Sequence, residues 1–227
     1  MGVVAALEAE ARTLGTAVRR GDGLSSLGDG ALLAVSGIGG ALAAIAARRL
    51  VDAGALSLMS FGLAGGLDPA LTAGTVVLPD EVISRDGSRY STSIGWREQL
   101  RMAIAGQRPV TTGILLSSSQ PIDAVADKAA AFRDTGAVAV DMESVAIAQV
   151  AGMHDLPFIA VRVIVDTAAD VLPRAVVAAN IAGQLSLRRL LGGLVKAPLD
   201  LVPLIRLAQR YRAATRSLTA VAGVRVA

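Results

Sequence analysis

Residues 157 to 170 read PFIAVRVIVDTAAD. From Phe158 to Val165 the run is apolar and rich in β-branched residues, and it lacks the polar alternation of a half-exposed strand. Such a run fits a strand covered on both faces, as in a parallel sheet flanked by helices. Two charges punctuate it. Arg162 interrupts the strand and Asp166 ends it; an unpaired charge at such a place is costly, so a carboxylate partner or a ligand is expected beside Arg162. Similar runs occur at Val3 to Ala6, Leu32 to Val35, Leu58 to Phe61, Thr75 to Leu78, Thr111 to Leu116 and Ala137 to Val140. Ala-rich helical stretches lie between several of them, at Gly40 to Ala53, Ile122 to Thr135 and Glu143 to His154, each closed by Gly, Asp or Pro. Alternating strands and helices predict an α/β fold with a mixed, mostly parallel central sheet between helical layers. The segment Ser84 to Pro109, more polar and irregular, reads as an excursion near a site entrance.

At 227 residues and 53% hydrophobic content, the chain suits one large domain. It has no cysteine and a single histidine, His154, which excludes a disulfide framework, a thiolate metal site and a zinc cluster. No cofactor is called for. The opening MGVVAALEAEARTL has no basic region, and Glu8 and Glu10 cut its apolar run, so a cytoplasmic protein without a signal peptide is expected.

Charge divides the chain unevenly. Residues 1–173 hold 13 Lys and Arg against 18 Asp and Glu, a net of −5, whereas residues 174–227 hold 9 against 1, a net of +8. We therefore read 1–173 as the catalytic body and 174–227 as a basic, leucine-rich helical extension of the same domain, broken into short helices by Gly192, Gly193, Pro198 and Pro203. Three Phe, two Tyr and one Trp offer few stacking platforms, which argues against nucleic acid as partner. An anionic membrane surface suits the extension better, making the protein peripheral at the inner face of a membrane; the alternative is that these helices simply cover the body.

Four motifs sit where strands give way to helices or loops, the edge at which open α/β sheets bind ligands. SGIGGALAA (Ser36 to Ala44) is a glycine turn that could cradle a phosphate on helix amides or merely allow a tight turn. It lacks G-x-G-x-x-G spacing, and the next strand ends at Phe61 without an acid, which disfavours a dehydrogenase. FGLAGGLDP (Phe61 to Pro69) lets a small molecule approach the backbone at Leu63 and Gly65. AVAVDMES (Ala137 to Ser144) ends a strand in Asp141, Met142 and Glu143. PFIAVRVIVDTAAD is the fourth.

Taken with VVAALEAEA at the start, these motifs occur in an order that resembles the superfamily containing methylthioadenosine/S-adenosylhomocysteine nucleosidase and purine nucleoside phosphorylase. The resemblance covers roughly residues 1–170. AVDMES and the Leu/Arg-rich tail are most similar to the hopanoid-associated phosphorylase family, whose role is removal of adenine from adenosylhopane. It implies an enzyme that cleaves the N-glycosidic bond of a purine nucleoside, assembled as a homodimer. Asp166 would protonate the departing adenine; Glu143 would bind the ribose hydroxyls and Met142 pack on the sugar; the backbone at Ile122 would recognise the base. Glu10 would orient and deprotonate water, with Arg162 nearby. Departures at Pro121, in place of an aromatic, and at Leu63, in place of a hydroxyl residue, make the expected pocket more apolar. Water is the expected nucleophile. Inorganic phosphate stays open as co-substrate, through Arg162 and the amides of Gly39, Gly40 or Gly65. The other readings are a methylthioadenosine-type nucleosidase and, outside enzymes, a nucleoside-binding membrane scaffold.

Overall fold

The computed structural model describes residues 1–15, 18–19, 21–171 and 201–224. The strands run β1 (Gly2–Ala5), β2 (Val18–Arg19), β3 (Ser25–Gly28), β4 (Ala31–Val35), β5 (Leu58–Gly66), β6 (Val76–Val77), β7 (Glu81–Ser84), β8 (Arg89–Ser91), β9 (Val110–Thr111), β10 (Ile114–Ser117), β11 (Ala137–Asp141) and β12 (Phe158–Asp166). The helices are α1 (Glu8–Ala11), α2 (Gly40–Asp52), α3 (Ile94–Ile104), α4 (Val125–Thr135), α5 (Ser144–Met153) and α6 (Leu201–Ala222).

One mixed sheet carries everything. Along its main path the order is β2-β3-β4-β1-β5-β11-β10-β7-β8, and β12 joins the same β5 on a second branch that continues to β6 and β9. The central β4-β1-β5-β12 ladder is parallel throughout, whereas β11 meets the far end of β5 antiparallel, Val140 opposite Gly65. β5 is thus shared by two branches, and its glycine-rich end lies between β11 and β12.

Side-chain parity shows why the strands lack polar alternation. On β12, Ala160 and Ile164 face a cluster with Ala43, Ala47 and Leu50 of α2 and Ile147 and Ala151 of α5. Ile159, Val161 and Val163 face the opposite cluster, with Leu100 and Ile104 of α3 and Ala214, Leu218 and Val221 of α6. Both faces are therefore covered, giving three layers. A third cluster around Ile83, Leu116, Ile122 and Val140 receives Ala131 of α4.

Three expectations change, the first at Thr111 to Leu116, which is divided at Gly113 (φ 116°) into β9 and β10. The excursion from Ser84 to Pro109 contains β8 and the eleven-residue α3, whose Leu100 and Ile104 are buried one turn apart. At the C-terminus, the described residues form one 22-residue helix, α6, instead of short pieces. Pro203 does not break it because it lies in the first turn, where no intrahelical N–H bond is lost. Residues 172–200, with Arg188, Arg189, Gly192, Gly193, Pro198 and the leucines from Leu185 to Leu199, lie outside the described residues, and of the 174–227 extension only residues 201–224 are described. Among the described residues no helix is long and apolar enough to cross a membrane.

Candidate active site

Arg162 has its expected partners. It is 2% exposed in mid-β12, and its Nη2 lies 2.7 Å from Asp141 Oδ2 and 3.6 Å from Glu143 Oε2. Nη2 also donates to Ser60 Oγ at 2.6 Å and Ser144 Oγ at 3.2 Å, and Nη1 to the Leu63 carbonyl at 3.4 Å. Asp141 is held in turn by the Ser117 hydroxyl at 2.5 Å, by the Ser144 hydroxyl, and by the Ser144 amide at 3.1 Å. The arginine is thus fully engaged by the strand ends around it. Burial alone would push its pKa down, but the carboxylates of Asp141, Glu143 and Glu10 outweigh that and raise it, so it remains a cation.

Glu10 joins this cluster from α1. Its position in the first turn would suit a solvated residue, yet it is only 4% exposed. Oε2 accepts the Leu7 amide at 2.9 Å, and Oε1 accepts the Leu63 amide at 2.8 Å. Gly62 makes this approach feasible: a Cβ there would stand 2.5 Å from Glu10 Oε1 and 2.8 Å from Arg162 Nη1. Burial raises the Glu10 carboxyl above its ordinary range, with Arg162 and the Leu63 and Leu7 amides pulling the other way.

Glu143 faces the same arginine. Its Oε1 accepts the Gly39 amide at 2.9 Å and its Oε2 the Met142 amide at 3.3 Å. Gly39 has φ 101°, a left-handed conformation suited to glycine, so the SGIGG turn is shaped to present that amide. Burial and the nearby Asp141 charge, against the pull of Arg162, bring the Glu143 carboxyl up to about 7. Three carboxyl groups thus surround one guanidinium. Asp141 has the shortest contact with it, and the two left over have raised pKa values.

Asp166, at the end of β12, forms a second group. It pairs with Lys128 of α4, a side chain with no exposed surface. Lys128 Nζ also donates to the carbonyls of Thr167 at 2.9 Å and Asp170 at 3.0 Å. Gly65 abuts the carboxyl, since a Cβ on it would lie 3.3 Å from Asp166 Oδ2 and 3.3 Å from Val140. Burial raises the Asp166 carboxyl and Lys128 lowers it; the net shift is upward.

Of the sequence candidates, the structure gathers Glu10, Leu63, Arg162 and Glu143 in direct contact, with half-buried Met142 adjoining. It sets Asp166 and Gly65 together farther along the same two strands. Buried Ile122 packs in the cluster containing Val140. Leu63 contributes through its backbone, while its side chain packs against the core cluster that holds Phe61 and Val163. The Gly39 amide is bonded to Glu143, and the Ser60 hydroxyl to Arg162 and Ser144. Sequence reasoning passed over Lys128, Ser117 and Ser144 and gave Asp141 no role. A signal for Lys128 existed, because it falls on the Ala131 and Phe132 face of α4 at helical spacing. Among the described residues no cluster of His, Asp or Glu could hold a metal ion.

Buried carboxylates grouped at the strand ends of a parallel-centred α/β/α sheet form a candidate active site. The chain belongs to the phosphorylase superfamily, whose family model matches residues 24–191. It is 28% identical over 152 residues to the 5′-methylthioadenosine/S-adenosylhomocysteine nucleosidase of Staphylococcus aureus, covering 59% of this chain and 67% of the relative. Among solved structures, the corresponding nucleosidase of Neisseria meningitidis in complex with methylthio-immucillin-A superposes with a TM-score of 0.68 at 23% identity, covering 98% of both chains. The futalosine hydrolase of Helicobacter pylori gives 0.69 at 15% identity, covering 97% of this chain and 95% of that one. At these identities the structural likeness speaks for the fold.

Proposed function

We propose that the protein hydrolyses the N-glycosidic bond of a purine nucleoside, releasing adenine, with a bulky apolar 5′ substituent such as that of adenosylhopane as its preferred substrate. The observation that carries hydrolysis is the placement of Glu10: a buried carboxyl with raised pKa, tethered by two amides and facing Arg162. A carboxyl whose pKa burial has raised is, once ionised, a stronger base than an exposed one and is suited to take a proton from water. Glu143 would accept the ribose hydroxyls, whose hydrogen bonds strengthen as the sugar becomes oxocarbenium-like, Met142 would pack on the sugar, and the Ile122 backbone would meet the base. Asp166 would protonate the base as the bond breaks. No cofactor is needed.

Phosphorolysis with inorganic phosphate is the alternative. It is less favoured because Arg162, Ser60 and the Gly39 amide, the groups a dianion would use, are already engaged with protein partners. The apolar 5′ preference rests on Pro121 and on the resemblance to the hopanoid-associated family; a methylthioadenosine-type substrate is the competing choice. The deciding experiment measures adenine released from adenosine derivatives of increasing 5′ bulk, with and without phosphate. Phosphate-independent release that improves with apolar 5′ groups supports the reading, and phosphate-dependent formation of ribose 1-phosphate overturns it. A homodimer, checked by light scattering, belongs to the same proposal.

A lipid-linked substrate would be met at an anionic membrane surface. The feature favouring this is a groove of about 590 Å³ lined by Arg108, Arg212 and Arg216 together with Tyr211 and Thr215. Arg212 and Arg216 lie on the exposed side of α6, while Arg210 is committed to an ion pair with Asp170.

A further inference from the structure

The chain contains 20 arginines and two lysines, Lys128 and Lys196. Lys128 has no exposed surface, and all three contacts of its ammonium lie at the end of β12, Asp166, and on the turn that follows it, Thr167 and Asp170. If its task were only to neutralise Asp166, an arginine would serve with firmer geometry; what lysine adds is the ability to give up its proton. A buried ammonium–carboxylate pair is also a poor resting charge arrangement once a ligand excludes water. Moving one proton within the pair removes both charges.

We propose that Lys128 is a positioning residue that supplies, through Asp166, the proton needed by the departing base. In the step, an Nζ–H bond of Lys128 breaks as an O–H bond forms on the Asp166 carboxylate. That O–H bond then breaks as the base is protonated on its imidazole ring, while the bond from base to anomeric carbon breaks with its electron pair staying on the base. Lysine is left neutral and regains a proton from solvent after the products leave. Besides Lys128, the charge of Asp170 bears on Asp166, and Asp170 is itself paired with Arg210 of α6. Gly65 of β5 and Val140 of β11 lie against this place, and neither carries a charge. The inference rests on the nucleosidase reading, in which Asp166 faces the base.

The sign of one pH shift tests it. Amines in general lose their proton about six pH units above carboxyls, so a proton stored on lysine stays available in alkaline solution. Lys128→Met should therefore keep most of its adenine release at the acid end of the pH profile, where the Asp166 carboxyl, raised by burial, can hold its own proton. Its alkaline limb should fall by at least one pH unit, with a tenfold or greater loss at pH 8. If lysine merely opposes protonation of Asp166, the alkaline limb moves upward instead; if it is only structural, the rate changes by one factor at every pH. Either result overturns the proposal. Lys128→Arg, which keeps the charge but cannot release a proton, should lose activity at pH 8 to the same degree, and near-wild-type activity there would also overturn it; this variant carries the test if the methionine variant does not fold. Asp166→Asn tests the parent reading separately: if it releases adenine normally, the acid itself is misassigned, whatever Lys128 does.

Discussion

Replacing Glu143 with Gln should make the ligand-free protein more stable relative to wild type as pH rises, while impairing catalysis. In the folded chain the Glu143 carboxyl is raised from 4.5 to about 7. Between those values the folded state binds more protons than the unfolded state, so this group's contribution to stability falls as pH rises through the window. At ~1.4 kcal/mol per pH unit, a shift of about 2.5 units corresponds to about 3 kcal/mol lost by pH 8.5. The charges of Arg162, Asp141 and Glu10 all act on Glu143, which makes that figure a ceiling. Glu143→Gln keeps an acceptor for the Gly39 amide but does not ionise. Urea unfolding of both proteins from pH 5 to pH 8.5 should show the variant gaining on wild type by up to about 3 kcal/mol, a shift in Tm of roughly 6–12 °C for a domain of this size. A stability difference that stays constant across that range would refute the reasoning. Adenine release should fall in the same variant, because the anion that would accept the ribose hydroxyls has gone; stabilisation at the expense of activity is expected where a site holds uncompensated charge.

Glu10→Gln should lower hydrolysis by about a hundredfold or more, since an amide cannot take a proton from water; undiminished adenine release from this variant would remove Glu10 from the chemistry. Gly62→Ala would put a methyl group within 2.5 Å of Glu10 Oε1 and 2.8 Å of its Cδ. The carboxyl must move, so activity should drop at least tenfold at a stability cost of about 1–3 kcal/mol, and unchanged kinetics would show that Glu10 need not sit where it does. Replacing Arg212 and Arg216 with Glu should abolish salt-sensitive co-sedimentation with anionic liposomes. If wild type ignores such liposomes at low salt, the membrane role fails and the nucleosidase reading stands apart from it.

The fold was legible where burial leaves a simple mark. Predicted strands and helices at 3–6, 32–35, 40–53, 137–140, 143–154 and 158–165 all lie within a few residues of elements in the structure. Each is an apolar or Ala-rich run covered on both sides, and composition alone reports that. Helix α3 was missed because IGWREQLRMAI shows only a thin apolar stripe, Leu100 and Ile104, beside a glycine at its second position and a buried Arg97 that reads as surface. The C-terminal helix was read as broken because Pro203 looks the same in a first turn as in a helix interior.

The site followed a different rule. A charge inside an apolar strand announces that a partner exists, and Arg162 was readable on that ground; it does not announce which partner. Asp141 lies 21 positions away and reaches Arg162 only because β11 and β12 both lie against β5. The pairing of Lys128 with Asp166, 38 positions apart, depends likewise on α4 packing at the end of β12. In the sequence the lysine competes with every exposed basic residue on an ordinary helix, and only its alignment with Ala131 sets it apart. Topology therefore decides which buried acid is neutralised by arginine, which cannot yield a proton, and which is paired with lysine, which can. That division separates the carboxyls proposed to act on water and sugar from the one proposed to act on the base.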